Sequence, residues 1–196
     1  MDIIKHCFKD FQDKNIPESI YFDTSFVVNV MVKESPYYLQ CKEFISKLLN
    51  KQSIIIFSSI LLPELWCAVV SICIRNQYEE KVKVREAIHK KPKLIRHYFS
   101  KAEKIEKDFR KVLTQFENWI MVPVNEKIIS KANLIMPKYC LPSMDAIHIA
   151  TAEEWAVRDI VAIDRDLEDL PLYETKYNIW TVNGWDRFKK RHQIQN

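Results

Sequence analysis

Five short apolar runs set the limits on how this chain can fold: Ile20-Tyr21-Phe22, Ile54-Ile55-Ile56-Phe57, Met121-Val122-Pro123-Val124, Ile160-Val161-Ala162-Ile163 and Ile179-Trp180-Thr181-Val182. None alternates apolar with polar residues, so each reads as a strand covered on both faces, as in a parallel sheet between helices. Pro123 lacks the N–H that a ladder needs, which puts the third run at a sheet edge. Between the runs the apolar spacing becomes helical, as at Leu39, Phe44, Ile45, Leu48 and Leu49, and again at Leu65, Val69, Ile72 and Cys73. Strand alternating with helix places the chain in the α/β class, with a parallel sheet of about five strands.

With 196 residues, 47% of them apolar and 29% charged, the chain suffices for one domain with a substantial core. Gly184 is its only glycine, where ordinary usage would give roughly 14. That excludes phosphate-cradling loops and nucleotide fingerprints built on repeated glycine, and also the Gly-x-Ser-x-Gly elbow of serine hydrolases. The five cysteines, Cys7, Cys41, Cys67, Cys73 and Cys140, form no Cys-x-x-Cys pair and meet no histidine at zinc-ligand spacing. They read as reduced, mostly packed thiols of a cytoplasmic protein. Charges interrupt the opening residues, and Pro63 and Glu64 break the greasiest stretch, Ile60 to Ile74, so neither a signal peptide nor a membrane span is expected.

The charge is unevenly spread. From Arg75 to Lys111 the chain carries 13 Lys and Arg against 6 Asp and Glu, a net of +7, which leaves −3 for the rest of a protein whose total is +4. This long helical excursion holds most of the basic character, and a smaller group follows at Arg187, Lys189, Lys190 and Arg191. A charged helical face is usually just solvated, but a phosphate backbone would need such a surface. Lys81, Lys83, Arg85, Lys90, Lys91, Lys93 and Arg96 form its densest part.

In an open parallel sheet, ligands bind beyond the carboxyl ends of the strands. Four acids follow apolar runs closely enough to gather there. Asp23 ends the first run, Glu64 falls in the first turn of the helix after the second, Asp145 opens the helix through Trp155, and Asp164 directly follows the fourth run. Each has a plain structural use: Asp23 as a helix cap, Glu64 and Asp145 as favourable charges at helix N-termini, and Asp164 as part of a solvated charged turn. Gathered in one site, however, four carboxylates repel and require compensating positive charge. Oxygen donors without Cys or His select Mg²⁺ or Mn²⁺. The chemistry such a centre suits is phosphodiester hydrolysis. His148 lies three residues beyond Asp145 and could face the site or the sheet; a packed or surface histidine is the favoured reading. Trp66, Trp155, Trp180 and Trp185 fall mostly in periodic apolar contexts and read as packing residues.

The local sequences around these acids resemble those of the PIN-domain nucleases, in particular the VapC-type toxins of prokaryotic toxin–antitoxin pairs. Ile20-Tyr21-Phe22-Asp23-Thr24-Ser25 is similar to the family's opening strand, and Ser58-Ser59-Ile60-Leu61-Leu62-Pro63-Glu64-Leu65 to its second acidic segment. Ser143-Met144-Asp145-Ala146-Ile147-His148-Ile149-Ala150-Thr151-Ala152 resembles its third and most distinctive element, and Val161-Ala162-Ile163-Asp164-Arg165-Asp166-Leu167 its last. The resemblance implies a three-layer α/β/α sandwich and a Mg²⁺- or Mn²⁺-dependent endoribonuclease without a covalent enzyme intermediate. It makes Asp23, Glu64, Asp145 and Asp164 the catalytic metal-binding acids, Asp166 a further candidate ligand, and Ser25 a polar partner in the same site. RNA is the implied substrate, with Lys90, Lys91 and Lys93 as candidate contacts. An antitoxin protein and a second copy of the chain are the implied partners.

Residues 1–18 then form an N-terminal extension, 19–185 the PIN-like domain with its basic helical insertion near 75–118, and 186–196 a basic tail. Two positions depart from the family pattern: Ala162 stands where Thr or Ser is usual, and Leu167 where Phe is. The lost hydroxyl opens a second reading, a PIN module that binds RNA or a protein partner without cutting.

Overall fold

A computed structural model describes residues 4–7, 16–77, 92–163, 167 and 177–182. Six strands form one sheet: β1 (Ile4–Cys7), β2 (Ser19–Phe22), β3 (Ile54–Ser58), β4 (Trp119–Val122), β5 (Asp159–Val161) and β6 (Asn178–Thr181). Their spatial order is β1-β6-β5-β2-β3-β4, and every neighbouring pair is parallel. Among the described residues the helices are α1 (Thr24–Met31), α2 (Tyr38–Lys51), α3 (Leu61–Gln77), α4 (Pro92–Leu113), α5 (Glu126–Tyr139) and α6 (Ser143–Glu154).

All five apolar runs become strands. The sheet has one strand more than the sequence suggests, because Ile4-Lys5-His6-Cys7 adds to β6 from the extension. As expected from Pro123, β4 is an edge strand and stops one residue before it.

Successive residues of the inner strands point into opposite cores. Ile20, Phe22, Ile55, Phe57, Val161 and Trp180 pack with Phe26, Val30, Phe44, Leu48, Leu65, Val69, Tyr98 and Phe109 of α1 to α4. Tyr21, Ile56, Ile160 and Ile179 pack with Ile128, Ala132, Ile135, Ile149 and Ala150 of α5 and α6. The result is the three-layer α/β/α sandwich. Burial on both faces explains why the inner strands carry no polar alternation. Within the expected insertion α4 runs from Pro92 to Leu113 and packs Ile95, Tyr98, Ala102, Phe109 and Leu113 inward, while residues 78–91 lie outside the described residues. Leu39, by contrast, is exposed despite its helical spacing. Of the cysteines, Cys41 and Cys73 are buried whereas Cys67 and Cys140 are exposed.

From β2 the chain moves outward through β3 to β4, then returns by α5 and α6 to place β5 on the other side of β2. The order therefore reverses between β2 and β5, and a crevice opens beyond their carboxyl ends.

Candidate active site

Asp23 sits at this reversal. Its N–H extends the ladder to Val161 O at 3.1 Å, and its side chain then caps α1, one oxygen (Oδ2) accepting from the Ser25 amide at 2.8 Å and from the Ser25 hydroxyl. The capping role foreseen for Asp23 is real, yet it engages a single carboxylate oxygen. The Ser25 hydroxyl also accepts from the Ile163 amide at 2.9 Å, which ties the end of β5 to the start of α1. Glu64 lies in the first turn of α3 and Asp145 in the first turn of α6. Asp23, Glu64 and Asp145 line one cleft of about 380 Å³ with Thr24, Ser25, Val28, Asn29, Cys67 and Ala68. Three acids from segments far apart in sequence thus meet at the switch point.

His148 joins them. Its ring is buried, 1% exposed, and its Nε2 lies 2.7 Å from Glu64 Oε2 and 3.6 Å from Asp23 Oδ1. The Thr24 hydroxyl donates to the same Glu64 oxygen at 2.6 Å. On the far side of the ring, Nδ1 is 2.8 Å from the Tyr21 hydroxyl, which accepts from the Ser58 amide at 3.1 Å. His148 is therefore packed, as favoured from the sequence, but it also faces the acids. The sequence held one signal for this, the three-residue step from Asp145 along a single helix. Tyr21 carried no such signal, since its hydroxyl meets a residue 127 positions away.

The electrostatics agree across the pair. Burial disfavours a charged imidazole, but the Glu64 hydrogen bond and the charges of Asp23, Glu64 and Asp145 outweigh it and raise the His148 pKa. Burial likewise disfavours an ionised Glu64, and the His148 and Thr24 interactions outweigh it and lower the Glu64 pKa. The cleft therefore favours carboxylate over carboxylic acid at Glu64.

No three His, Cys, Asp or Glu side chains among the described residues are grouped so as to hold a metal ion. The two remaining predicted ligands, Asp164 and Asp166, lie outside those residues. What the described part offers is a partial donor set that fits a hard cation. Asp23 and Glu64 are each anchored through one oxygen; Glu64 Oε1 receives no hydrogen bond from the described residues, and Asp23 Oδ1 faces His148 Nε2 at the longer distance of 3.6 Å. Lys93 is exposed on α4, and Lys90 and Lys91 lie outside the described residues. Trp180 is buried, Trp66 half-buried and Trp155 exposed, while Trp185 lies outside the description.

A family model for the PIN domain matches residues 20–171. The chain belongs to the PIN-domain family. The match takes in all four candidate acids together with Ile20 of β2 through β5, whereas β1 and β6 lie beyond the matched residues. No curated protein matches it. Among solved structures, this PIN-domain chain is similar to VapC20 of Mycobacterium tuberculosis, described as a sarcin–ricin loop cleaving toxin. Identity is 14% and the TM-score 0.49, over 80% of this chain and 98% of the other. It is also similar to a chain of a toxin–antitoxin complex from Klebsiella pneumoniae, with 18% identity and a TM-score of 0.47 over 82% and 99% of the two chains.

Proposed function

We propose that this PIN-domain protein is a Mg²⁺- or Mn²⁺-dependent endoribonuclease acting as the toxin of a toxin–antitoxin pair in the cytoplasm. The observation that carries the reading is the meeting of Asp23, Glu64 and Asp145 in one cleft at the β2/β5 switch point of a PIN domain. Asp23 and Glu64 would hold the ion through the oxygens their hydrogen bonds leave open. Asp145 would complete the described side of the site, with Asp164, or Asp166 in its place, closing the other. A bound divalent ion supplies an activated water and neutralises charge on the leaving oxygen.

The protein's own residues do the rest. Ser25 and Thr24 fix the orientation of Asp23 and Glu64. Glu64 stays ionised at neutral pH because His148 and Thr24 hold it. Lys90, Lys91 and Lys93 of the basic insertion draw in the RNA backbone by long-range attraction. A second cleft of about 310 Å³ adjoins the acids and shares Val28 and Asn29 with theirs. Its apolar lining, Val32, Pro36, Tyr37 and Ile72 among others, suits an antitoxin tail running toward the acids.

The test is RNA cleavage with Mg²⁺ or Mn²⁺ and an EDTA control, comparing the wild type with Asp145→Asn. Metal-dependent cleavage that the variant loses supports the reading. Equal cleavage by both proteins overturns it, and RNA binding without any cleavage returns the protein to the non-cutting alternative.

A further inference from the structure

Behind the acids lie two buried polar side chains, Tyr21 and His148, that the hydrolysis itself does not call for. We infer that they are positioning residues: a relay from the Ser58 amide through the Tyr21 hydroxyl to the His148 ring keeps an N–H on Nε2 aimed at Glu64, fixing that carboxylate for a divalent cation. The inference rests on the metal reading above and concerns what holds one of its acids.

The argument is one of donors and acceptors. The Ser58 N–H donates to the Tyr21 oxygen at 3.1 Å, so the phenolic proton is left to serve a different partner. His148 Nδ1, 2.8 Å away, is the acceptor the relay requires, and the Thr151 and Ser58 hydroxyls hydrogen-bond the Tyr21 oxygen beside it. A neutral ring that accepts at Nδ1 must carry its proton on Nε2, which stands 2.7 Å from Glu64 Oε2. In the cationic ring Nε2 is protonated in any case. The same donor therefore faces Glu64 in both charge states.

Burial sharpens the effect. Tyr21 is 0% and His148 1% exposed, so no bulk water competes for the relay, and a mispaired donor there would be costly. The parts come from four elements: Tyr21 from β2, Ser58 from the end of β3, His148 from α6 and Glu64 from α3. A histidine that merely filled the core would need no particular tautomer. Here the Thr24 hydroxyl and His148 Nε2 converge on one oxygen of Glu64, and none of the described residues donates to the other. Groups that orient metal-binding carboxylates from behind change metal affinity by about 10–100-fold when removed.

Two measurements test the relay. In the metal-free protein at alkaline pH, where the ring is neutral, nitrogen-15 NMR should find the ring proton of His148 on Nε2; a proton on Nδ1 overturns the inference. Calorimetric Mn²⁺ titration without RNA then compares wild type, His148→Leu, His148→Gln and Tyr21→Phe, each checked for a cooperative melt. His148→Leu should lose about 10–100-fold in affinity. His148→Gln, which can return an amide N–H near the place of Nε2, should come within a few-fold of wild type, and Tyr21→Phe should fall between.

Leu binding as tightly as wild type, or Gln binding as weakly as Leu, overturns the inference. If His148→Leu fails to fold, Tyr21→Phe decides, because it keeps the ring packing and removes only the hydroxyl; unchanged affinity there is fatal. A wild type that shows no carboxylate-dependent Mn²⁺ binding overturns the metal reading and the inference together. A wild type that binds, with variants that match it, overturns the inference alone.

Discussion

At the scale of single residues, the cleft is organised by short side chains that each hold one oxygen of a carboxylate. Thr24 follows Asp23 directly, so the residue after the cap of α1 reaches across to α3 and donates to Glu64 at 2.6 Å. Valine has the same shape without the donor. A hydrogen bond to a charged acceptor contributes about 1.5–3 kcal/mol, and the Glu64 side chain is only 22% exposed. Thr24→Val should therefore destabilise the protein by about 1–2 kcal/mol, read as a lower thermal midpoint, and should slow cleavage because Glu64 loses one of its two described anchors. A variant as stable and active as wild type would show that His148 alone holds the acid.

At the scale of elements, the shortage of glycine has a measurable cost. Helices commonly end on a left-handed residue, usually glycine, but Gln52 ends α2 at φ 56° and Cys140 ends α5 at φ 54°. Gln52 has a second use, since its side chain accepts from the Glu117 amide at 3.0 Å. Cys140 is exposed and follows α5 without such a contact among the described residues. Relief of its left-handed strain should make Cys140→Gly more stable by about 0.5–1 kcal/mol, a rise of about 1–4 °C in midpoint for a chain of this size.

The α5–α6 pair carries a different sensitivity. Glu154 at the end of α6 meets Lys127 and Lys131 of α5, and the hydrogen bond from Lys127, then that from Lys131, holds its pKa below the usual carboxylate value. A depressed pKa contributes stability above the unfolded value and loses it as the pH falls through the folded one. Melting across pH should find Glu154→Gln less stable than wild type at neutral pH and level with it once both are acidified. Added salt should narrow the neutral gap, because the pair is solvent-facing.

At the scale of the molecule, the inner sheet was legible because strands buried on both faces leave short apolar runs bounded by turn or cap residues, whereas the longer apolar stretch Ile60 to Ile74 is interrupted by Pro63 and Glu64 and forms α3. β1 was not, since an edge strand has one neighbour and Ile4-Lys5-His6-Cys7 needs no apolar run to pair with β6. Asp23 and Glu64 could be found from their places after strands, because parallel topology brings such positions to one edge, whereas Asp145 follows a helix and was legible from its place at the opening of α6. The roles of Tyr21 and His148 depend on distances between segments that no local pattern encodes.

The same convergence would make the proposed ion a reporter of the whole fold. Asp23 joins β2 to α1, Glu64 lies in the first turn of α3 and Asp145 in that of α6, so a cation held among them would link helices on both faces of the sheet and would bind only when the sandwich is assembled. A ligand confined to the folded state stabilises it by about 2.7 kcal/mol at a hundred times its dissociation constant, which is a rise of roughly 5–11 °C in midpoint at this chain length. Mn²⁺ should produce that rise in the wild type, and EDTA should reverse it. In Asp145→Asn the Mn²⁺-induced rise, measured from each protein's own metal-free midpoint, should shrink to a small fraction. Equal Mn²⁺-induced shifts in the two proteins would mean that the ion binds without Asp145, and the metal reading of the switch-point acids would fall.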